Sequence, residues 1–596
     1  MLLKDNIATG DQMHTTAGAY ALRNWQADRD ATIVQKLRAA GAIILGKANL
    51  SEWANYMDPC MPSGFSVVGG QTRHPYGPFD PMGSSSGSAV SVGANLTAVS
   101  VGSETSGSLI QPARSNSVAA LRPSLGLLSR DHIIPLGPDL DTPGPMGRSV
   151  TDVAIMLNVM SGADENDPKT AGAAALNGVD FTQFLSLDQA KKLRVGVIIP
   201  STATALVQQQ AKMLEQVAGK SLSEAEVHSL LVEYMLPSLG GDPATAIDAL
   251  KQLGIEVVEI DETTLPPSGD TAQVQLPYSF NAGVADLFGE LPSPAPIASL
   301  AEVVAINNED LANRAPYGQL FLEKSVSNTT TAEEYVRIRA VAQALAQNWM
   351  KTVLETNNVD ILVSGMSYSG NAGAAGVPAL TIPAGLDPKG EPQGIVLSGD
   401  YLSEPKLFAV GYALEQVLQG RVEPDLAATI AEIEAVSTRM AKPEAVSALE
   451  TAYGAPSQAG FGSAVFYEPL AASADLEQAA LAKYRFFVGD AWERFGEDAW
   501  MGPWQQVYGR PEGAAPDIVT ELRGLEDRDA ASSAALILDD VDNAESARAA
   551  LAAVFDDPAV TEVAAYRLGD GAAMSGLLVA GRLQDQNAVY LVFLLD

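Results

Sequence analysis

The stretch that most constrains this chain is a pair of serine–glycine knots. Asp80-Pro81-Met82-Gly83-Ser84-Ser85-Ser86-Gly87-Ser88-Ala89 leads, through an apolar segment ending at Val101, to Gly102-Ser103-Glu104-Thr105-Ser106-Gly107-Ser108. Side chains this small let backbone approach backbone and aim several N–H groups at one point. A serine so placed is a candidate nucleophile, with neighbouring N–H groups to hold a developing oxyanion. Serine–glycine runs are also the composition of flexible linkers. Linkers do not bury, however, and the segment from Ala89 to Val101 is apolar. It reads as a buried helix running into a strand.

The chemistry that can accompany such a serine is narrow. One cysteine, Cys60, rules out an internal disulfide and a cysteine-based structural zinc site. The four histidines, His14, His74, His132 and His228, show no metal-ligand spacing, and none is nominated as a base for a serine. Lys4 is the better candidate base: it follows the apolar Met1-Leu2-Leu3, and desolvation favours the neutral amine that accepts a proton. The competing reading is a solvated lysine at a chain start. No residue pattern calls for a cofactor or a metal.

Lys and Arg number 37 against 72 Asp and Glu, a formal charge of −35. So acidic a surface repels phosphate backbones and anionic membranes, so neither nucleic acid nor membrane is an expected partner. The first residues turn polar at Lys4-Asp5 without the apolar core of a signal peptide. No apolar run reaches the ~20 residues that span a bilayer. The expectation is a cytoplasmic protein.

With 596 residues the chain is long enough for about two to four domains. Its first part alternates helical and strand patterns, which predicts an α/β fold: a mixed central sheet covered by helices on both faces. A helix is expected over Ala31–Gly41 and a buried strand over Ala42–Lys47. Residues 56–83 read as a long loop, and residues 111–150 as turns and short strands. Further strands are expected at Leu193–Pro200, Ile255–Ile260, Val359–Val363, Ala379–Pro383 and Gly394–Gly399. Helices are expected at Val150–Met160, about Thr204–Gly254, 297–356 and 404–417. Composition shifts near 421–445, where Ala- and Glu-rich helix replaces the α/β rhythm. The boundary is placed at 425, with residues 426–596 as an additional α+β domain of open role. Three of the six tryptophans, Trp492, Trp500 and Trp504, stand close together in it. Its end reads as a strand at Ala534–Leu538, a helix at Glu545–Phe555 and three strands near 560–568, 574–582 and 588–595, ferredoxin-like in outline.

Several segments together resemble the amidase signature family, whose members hydrolyse amides through a serine–cis-serine–lysine triad. They are Leu2-Leu3-Lys4-Asp5-Asn6-Ile7, Gly41 to Glu52, Gly83 to Ala89, Gly102 to Ser108 with Pro112-Ala113, Leu121-Arg122-Pro123-Ser124, and Asp141 to Ser149. The resemblance covers about residues 1–420, so the domain expected over 1–425 would be the amidase signature domain. It implies that Ser108 is the nucleophile and that Ser84, twenty-four positions earlier, is the bridging serine on a non-proline cis peptide bond. It also implies Lys4 as base, the N–H groups of Thr105, Ser106, Gly107 and Ser108 as oxyanion hole, and Ser85 as a supporting hydrogen-bond partner.

The chain also departs from the family pattern. Ile110 stands where many members have an arginine, and Gly102-Ser103-Glu104 where many have Gly-Thr-Asp. The serine-rich run, Tyr317-Gly318-Gln319 and Ser403 to Leu407 are most similar to the peptide-amidase-like branch. Members usually carry several dozen residues before the lysine, whereas three precede it here. The resemblance therefore implies an amidohydrolase for linear amides, needing no cofactor, with a small-molecule or peptide amide as substrate. The alternatives are an amidotransferase A-like subunit, which needs partner chains, and a non-catalytic scaffold motivated by the short start and the extra C-terminal segment. The walls of a substrate pocket are expected from residues 53–80, 275–325 and 364–376.

Overall fold

In the computed structural model the three residues before Asp5 form a strand, Leu2–Lys4 (β1), held on both sides by parallel neighbours. The structure describes residues 1–199, 243–266, 274–291, 296–364, 369–431, 442–457, 460–470, 474–489, 491–492, 496–511, 513–569, 574–584 and 587–595. It divides into two units, Met1–Ile430 and Ala431–Asp596.

The first unit is organised on a ten-stranded mixed sheet. After β1 come Gly46–Ala48 (β2), a small hairpin of Phe65–Ser66 (β3) and Gly70–Gln71 (β4), then Val99–Glu104 (β5), Ala119–Arg122 (β6) and Thr142–Gly147 (β7). Arg194–Ile199 (β8), Glu256–Asp261 (β9), Ile361–Ser364 (β10), Ala379–Leu386 (β11) and Pro392–Gly399 (β12) follow. The sheet order is β2-β1-β5-β7-β6-β11-β12-β10-β8-β9.

Alternate residues of one strand serve opposite faces, and two cores result. Val195, Val197, Ile361, Val363, Leu380 and Leu397 pack with the helices Thr32–Ala39, Val150–Met160, Pro243–Leu253 and Glu404–Leu418. Their neighbours Ile198, Leu362, Ala379 and Val396 pack on the other face with Ala332–Asn357 and Ser369–Ala375. The chain is α/β with helices on both faces, as its alternation predicts.

Two local expectations in this unit are corrected. Of Ala42–Lys47 only Gly46 and Lys47 belong to a strand; Ile43 and Leu45 are 74% and 65% exposed. The preceding run is held instead by single hydrogen bonds, such as Leu45 N–H to Met1 O at 2.9 Å. Within 111–150, Ile110–Ser115 is a helix despite Pro112. The proline sits in its first turn, where N–H groups have no intrahelical acceptor, so its missing N–H costs little. The helix expected over 204–254 lies outside the described residues up to 242, and Pro243–Leu253 is helical.

The second unit holds five antiparallel strands: Gly462–Pro469 (β13), Gln505–Gly509 (β14), Val560–Gly569 (β15), Ser575–Leu583 (β16) and Asn587–Leu595 (β17), in the order β13-β17-β16-β15-β14. This is a meander extended by β13, not a ferredoxin-like order. It has a core on each face. The stretch Ala534–Leu538 is helix, part of Arg528–Asp539. Asp527 caps it by accepting from Ala530 N–H at 2.9 Å. Ala530, Ser533, Ala534, Ile537 and Leu538 then fall on one buried face at helical spacing. Tyr484 gathers Trp492, Trp500 and Trp504, with ring centroids 5.2, 6.4 and 5.8 Å away. The tryptophan clustering is thus a packing feature.

The small residues of the serine–glycine run are needed for backbone contact. The helix Ser86–Gly93 lies on β2 and the residues after it, and a Cβ on Gly87 would come within 2.6 Å of Asn49 O and 2.8 Å of Asn49 N. An alanine in an ordinary helix stabilises relative to glycine by roughly 0.5–1 kcal/mol. Gly87→Ala should do the opposite, destabilising by about 1–3 kcal/mol in chemical denaturation of the full chain. An unchanged or higher midpoint would refute the close approach.

Candidate active site

Parallel strands bring their carboxyl ends together, and open α/β sheets present ligands there. β1 and β5 are parallel, with Leu2 opposite Ser100 and Leu3 opposite Val101. Lys4 therefore ends level with Gly102, next to Ser103. Its side chain is fully buried, with Nζ donating to Ser84 Oγ at 2.8 Å and to Ser103 O at 3.0 Å. The strand pairing on both sides and these two bonds fix Lys4.

The Gly83–Ser84 peptide bond is cis. Ser84 O accepts from Ser51 N–H at 3.1 Å, which ties the turn to the chain after β2. Ser85 Oγ donates to Ser103 O at 2.9 Å and accepts from Ser103 N–H at 3.2 Å. Ser103 O thus receives both Lys4 and Ser85. A Cβ on Gly102 would come within 2.7 Å of Ser85 Oγ, so the first knot and β5 can meet only at glycine.

Ser108 stands in the turn between β5 and the helix Ile110–Ser115, and it is half-buried. Ser85 N–H donates to Ser108 O at 3.2 Å, joining the two knots. Gly107 takes a φ of +89° in this turn, a conformation that side chains disfavour. Among the described residues the N–H groups of Ser106, Gly107 and Ser108 have no acceptor. Such free donors, beside a partly open hydroxyl, suit an oxyanion.

Four residues hold this turn, Asp141 half-buried and the other three buried, and none was assigned a role from sequence. Glu104 Oε2 accepts from Leu109 N–H at 2.7 Å and Ile110 N–H at 3.0 Å, capping the next helix. Arg122, fully buried, pairs with Glu104 at 3.5 Å. Its guanidinium also donates to Glu104 O, Thr105 O, Leu140 O and Gly373 O at 2.8–3.3 Å. Asp141 accepts from Thr105 Oγ1 and from the N–H groups of Leu136 and Gly137. Asn6 Nδ2 donates to Ser103 Oγ at 3.0 Å. The available signal was an arginine inside an apolar strand, Ala120-Leu121-Arg122, since a buried cation needs partners.

Burial pushes the Lys4 ammonium down to about 7, against the opposing pull of Asp141 and Glu104. Burial likewise lowers Arg122, opposed by Glu104 and Asp141, and raises the Asp141 carboxyl, opposed by Thr105 and the two N–H donors. Lys4 is therefore close to balanced between ammonium and free amine at neutral pH.

The other reactive side chains stand apart from these bonds. His74 Nε2 lies 2.7 Å from Ser115 O, and burial lowers its imidazole to about 4. His132 sits between Asp131 and Asp28, His14 is exposed, and Cys60 is free and exposed. His228 lies outside the described residues. Among the described residues no cluster of three or more His, Cys, Asp or Glu could hold a metal ion, and no helix is long and apolar enough to cross a membrane.

Known proteins carry this fold and these segments. The Amidase family model matches residues 1–241. A probable amidase of Arabidopsis thaliana is 35% identical over 431 residues, 71% of this chain and 77% of that protein. The A-type chain of a glutamyl-tRNA(Gln) amidotransferase from Thermosynechococcus vestitus is 30% identical, over 70% of this chain and 83% of that one. Among solved structures, the peptide amidase of Stenotrophomonas maltophilia superposes with a TM-score of 0.62 at 36% identity, covering 71% of this chain and 83% of its own. The chain belongs to the amidase family.

Replacing Arg122 leaves Glu104 buried without its cation, and breaking a buried pair this way costs about 3–5 kcal/mol. Arg122→Met is expected to lose that much in chemical denaturation. Arg122→Lys, which keeps the charge but cannot reach all four carbonyls, should lose less. Equal stability of Arg122→Met and the parent would show that the guanidinium does not anchor the turn.

Proposed function

We propose that the protein is an amidohydrolase that cleaves linear carboxylic amides through an acyl-enzyme on Ser108. The observation that carries this reading is the 2.8 Å contact of the buried Lys4 Nζ with Ser84 Oγ. Lys4 as free amine takes the Ser84 proton while Ser84 takes that of Ser108. Ser108 Oγ bonds to the amide carbon, and the oxyanion that forms is met by the N–H groups of Thr105, Ser106, Gly107 and Ser108. The proton returns through Ser84 to the leaving nitrogen as the C–N bond breaks. Water then enters by the same relay, splits the ester and restores Ser108, giving one acid and one amine per amide. Ser85 acts as support: it holds Ser103 O, which holds Lys4.

The likeness to a probable amidase and a peptide amidase supports the reaction class. The likeness to the A-type chain of an amidotransferase favours a second reading, in which an amide is opened to pass its nitrogen to a partner chain. Co-purification of stoichiometric partner chains with the tagged protein would favour that reading. Full amide release by the isolated chain favours the hydrolase. The buried, hydrogen-bonded Lys4 weighs against the scaffold alternative.

Ser108→Ala should lower amide release by about 10⁴-fold or more and abolish labelling by a fluorophosphonate. Release equal to that of the parent would sink the proposal. The rate constant kcat/KM should rise with pH along a limb centred near 7, where Lys4 loses its proton. A carboxylate beside an ammonium favours the charged form, so Glu104→Gln should move that limb to lower pH. A shift to higher pH would contradict the role given to Lys4.

A further inference from the structure

From Ser100 to Ser129 every residue is buried except three, Ser106, Ser108 and Gln111. Ser108 therefore reaches the surface in company with one hydroxyl and one carboxamide, and with no charged side chain of this stretch. Gln111 belongs to the helix Ile110–Ser115, and its N–H donates to Gly107 O at 2.9 Å, one helical turn back. Side chains on a helix lean toward its N-terminus. Gln111 accordingly lies along Gly107: a Cβ there would meet its Cγ at 3.3 Å, its Cδ at 3.0 Å and its Nε2 at 2.7 Å. The tip of the side chain is thus the part nearest the middle of the turn. We propose that Gln111 determines specificity at the amide-cleaving site: its carboxamide hydrogen-bonds a neutral polar group of the substrate, a second amide, that flanks the bond being cleaved. This inference rests on the amidohydrolase reading above.

The unspent hydrogen-bonding groups of the turn support the assignment. A carboxamide has two donor hydrogens and an acceptor oxygen. In Gln111 none of them has a partner among the described residues, and neither has the Ser106 hydroxyl. The charged groups that hold the turn are already committed: Glu104 to Leu109, Ile110 and Arg122, and Asp141 to Thr105 and two backbone donors. When Ser108 Oγ bonds to the substrate carbon with its oxygen at the free N–H groups, the groups on either side of that carbon lie within a few atoms of Gly107, where the carboxamide is.

The chemistry of the side chain selects the class of group. A carboxamide carries no charge and so offers little to an ammonium or carboxylate that leaves water. An amide, with one N–H and one C=O, uses both functions of Gln111 at once. A substrate that lacks the second amide leaves the donor and the acceptor unpaired against it, and unmade hydrogen bonds are costly.

The test uses two matched substrate pairs on the full-length protein. One pair places the second amide on the acyl part, N-acetylglycinamide against pentanamide, read as ammonia release. The other places it on the amine part, N-butyrylglycinamide against N-propylbutyramide, read as butyrate release. Two added hydrogen bonds predict that kcat/KM favours the amide-bearing member of at least one pair by about tenfold or more. In Gln111→Met, which keeps the length of the side chain and removes its donor and acceptor, that ratio should fall to about threefold or less; Gln111→Leu serves if Gln111→Met does not fold. Loss of folded protein scales both members of a pair alike, so a merely structural role of Gln111 predicts an unaltered ratio. Ratios near one in both pairs, or a ratio unchanged in the variant, overturn the inference and leave the amidohydrolase reading standing. So does a protein that cleaves other amides and none of these four. If no amide at all is released faster than by Ser108→Ala, the amidohydrolase reading fails and the inference falls with it.

Discussion

The interaction on which the rest of the first unit depends is the burial of the Lys4 ammonium. An unpaired charge in a dry interior is so unfavourable that the group sheds its charge instead. Here the ammonium keeps two oxygen partners, Ser84 Oγ and Ser103 O, and two carboxylates nearby, Asp141 and Glu104. The balance leaves it able to give or take a proton near neutrality. Each partner must therefore be held to within tenths of an ångström. The glycines at 87 and 102 serve that purpose: a Cβ on Gly102 would push Ser85 away from the strand of Ser103, and one on Gly87 would push the helix after Ser85 away from Asn49.

A second buried cation organises the other half of the site. Arg122 reaches from β6 to β5, to the chain before β7 and to the helix Ser369–Ala375, and it ends on carbonyl oxygens in each. Four separate backbone segments are thereby set relative to the turn of Ser108. Glu104 links the two cations. It faces Arg122 with one oxygen, caps the helix Ile110–Ser115 with the other, and pulls on Lys4 through space. The turn between them is left with free N–H groups because its surroundings hold it open; nothing within it closes a helix.

Legibility differed from segment to segment for physical reasons. Strands such as Leu380–Ile382 and Val195–Val197 could be read because alternate residues are buried in opposite cores, which makes the whole run apolar. The run Ala534–Leu538 was misread because five apolar residues fit a buried strand and a helix face equally well. Only Asp527 at its start, accepting from Ala530, points to the helix. The stretch Ala42–Leu45 fits a strand pattern as well and forms no regular element. Its apolar residues look like a core strand, yet nothing covers Ile43 or Leu45 among the described residues. The tryptophans of the second unit stood close in sequence, but it is Tyr484, from the helix Leu476–Val488, that makes them one cluster.

By itself the sequence determined the two serine–glycine knots, their spacing, the lysine at the end of an apolar strand and the alternation that makes an α/β sheet. Those are local properties: residue size, period and order along the chain. Tertiary structure decided which groups meet. That Ser103 should offer its carbonyl to both Lys4 and Ser85, and that Arg122 should be spent on backbone oxygens, are consequences of strand pairing that joins residues from about twenty to a hundred positions apart. Electrostatics and hydrogen bonding act through distance in space, and no pattern along one chain encodes that distance. The serine–glycine run therefore announced a packed turn, and only the fold set a buried lysine against one of its serines.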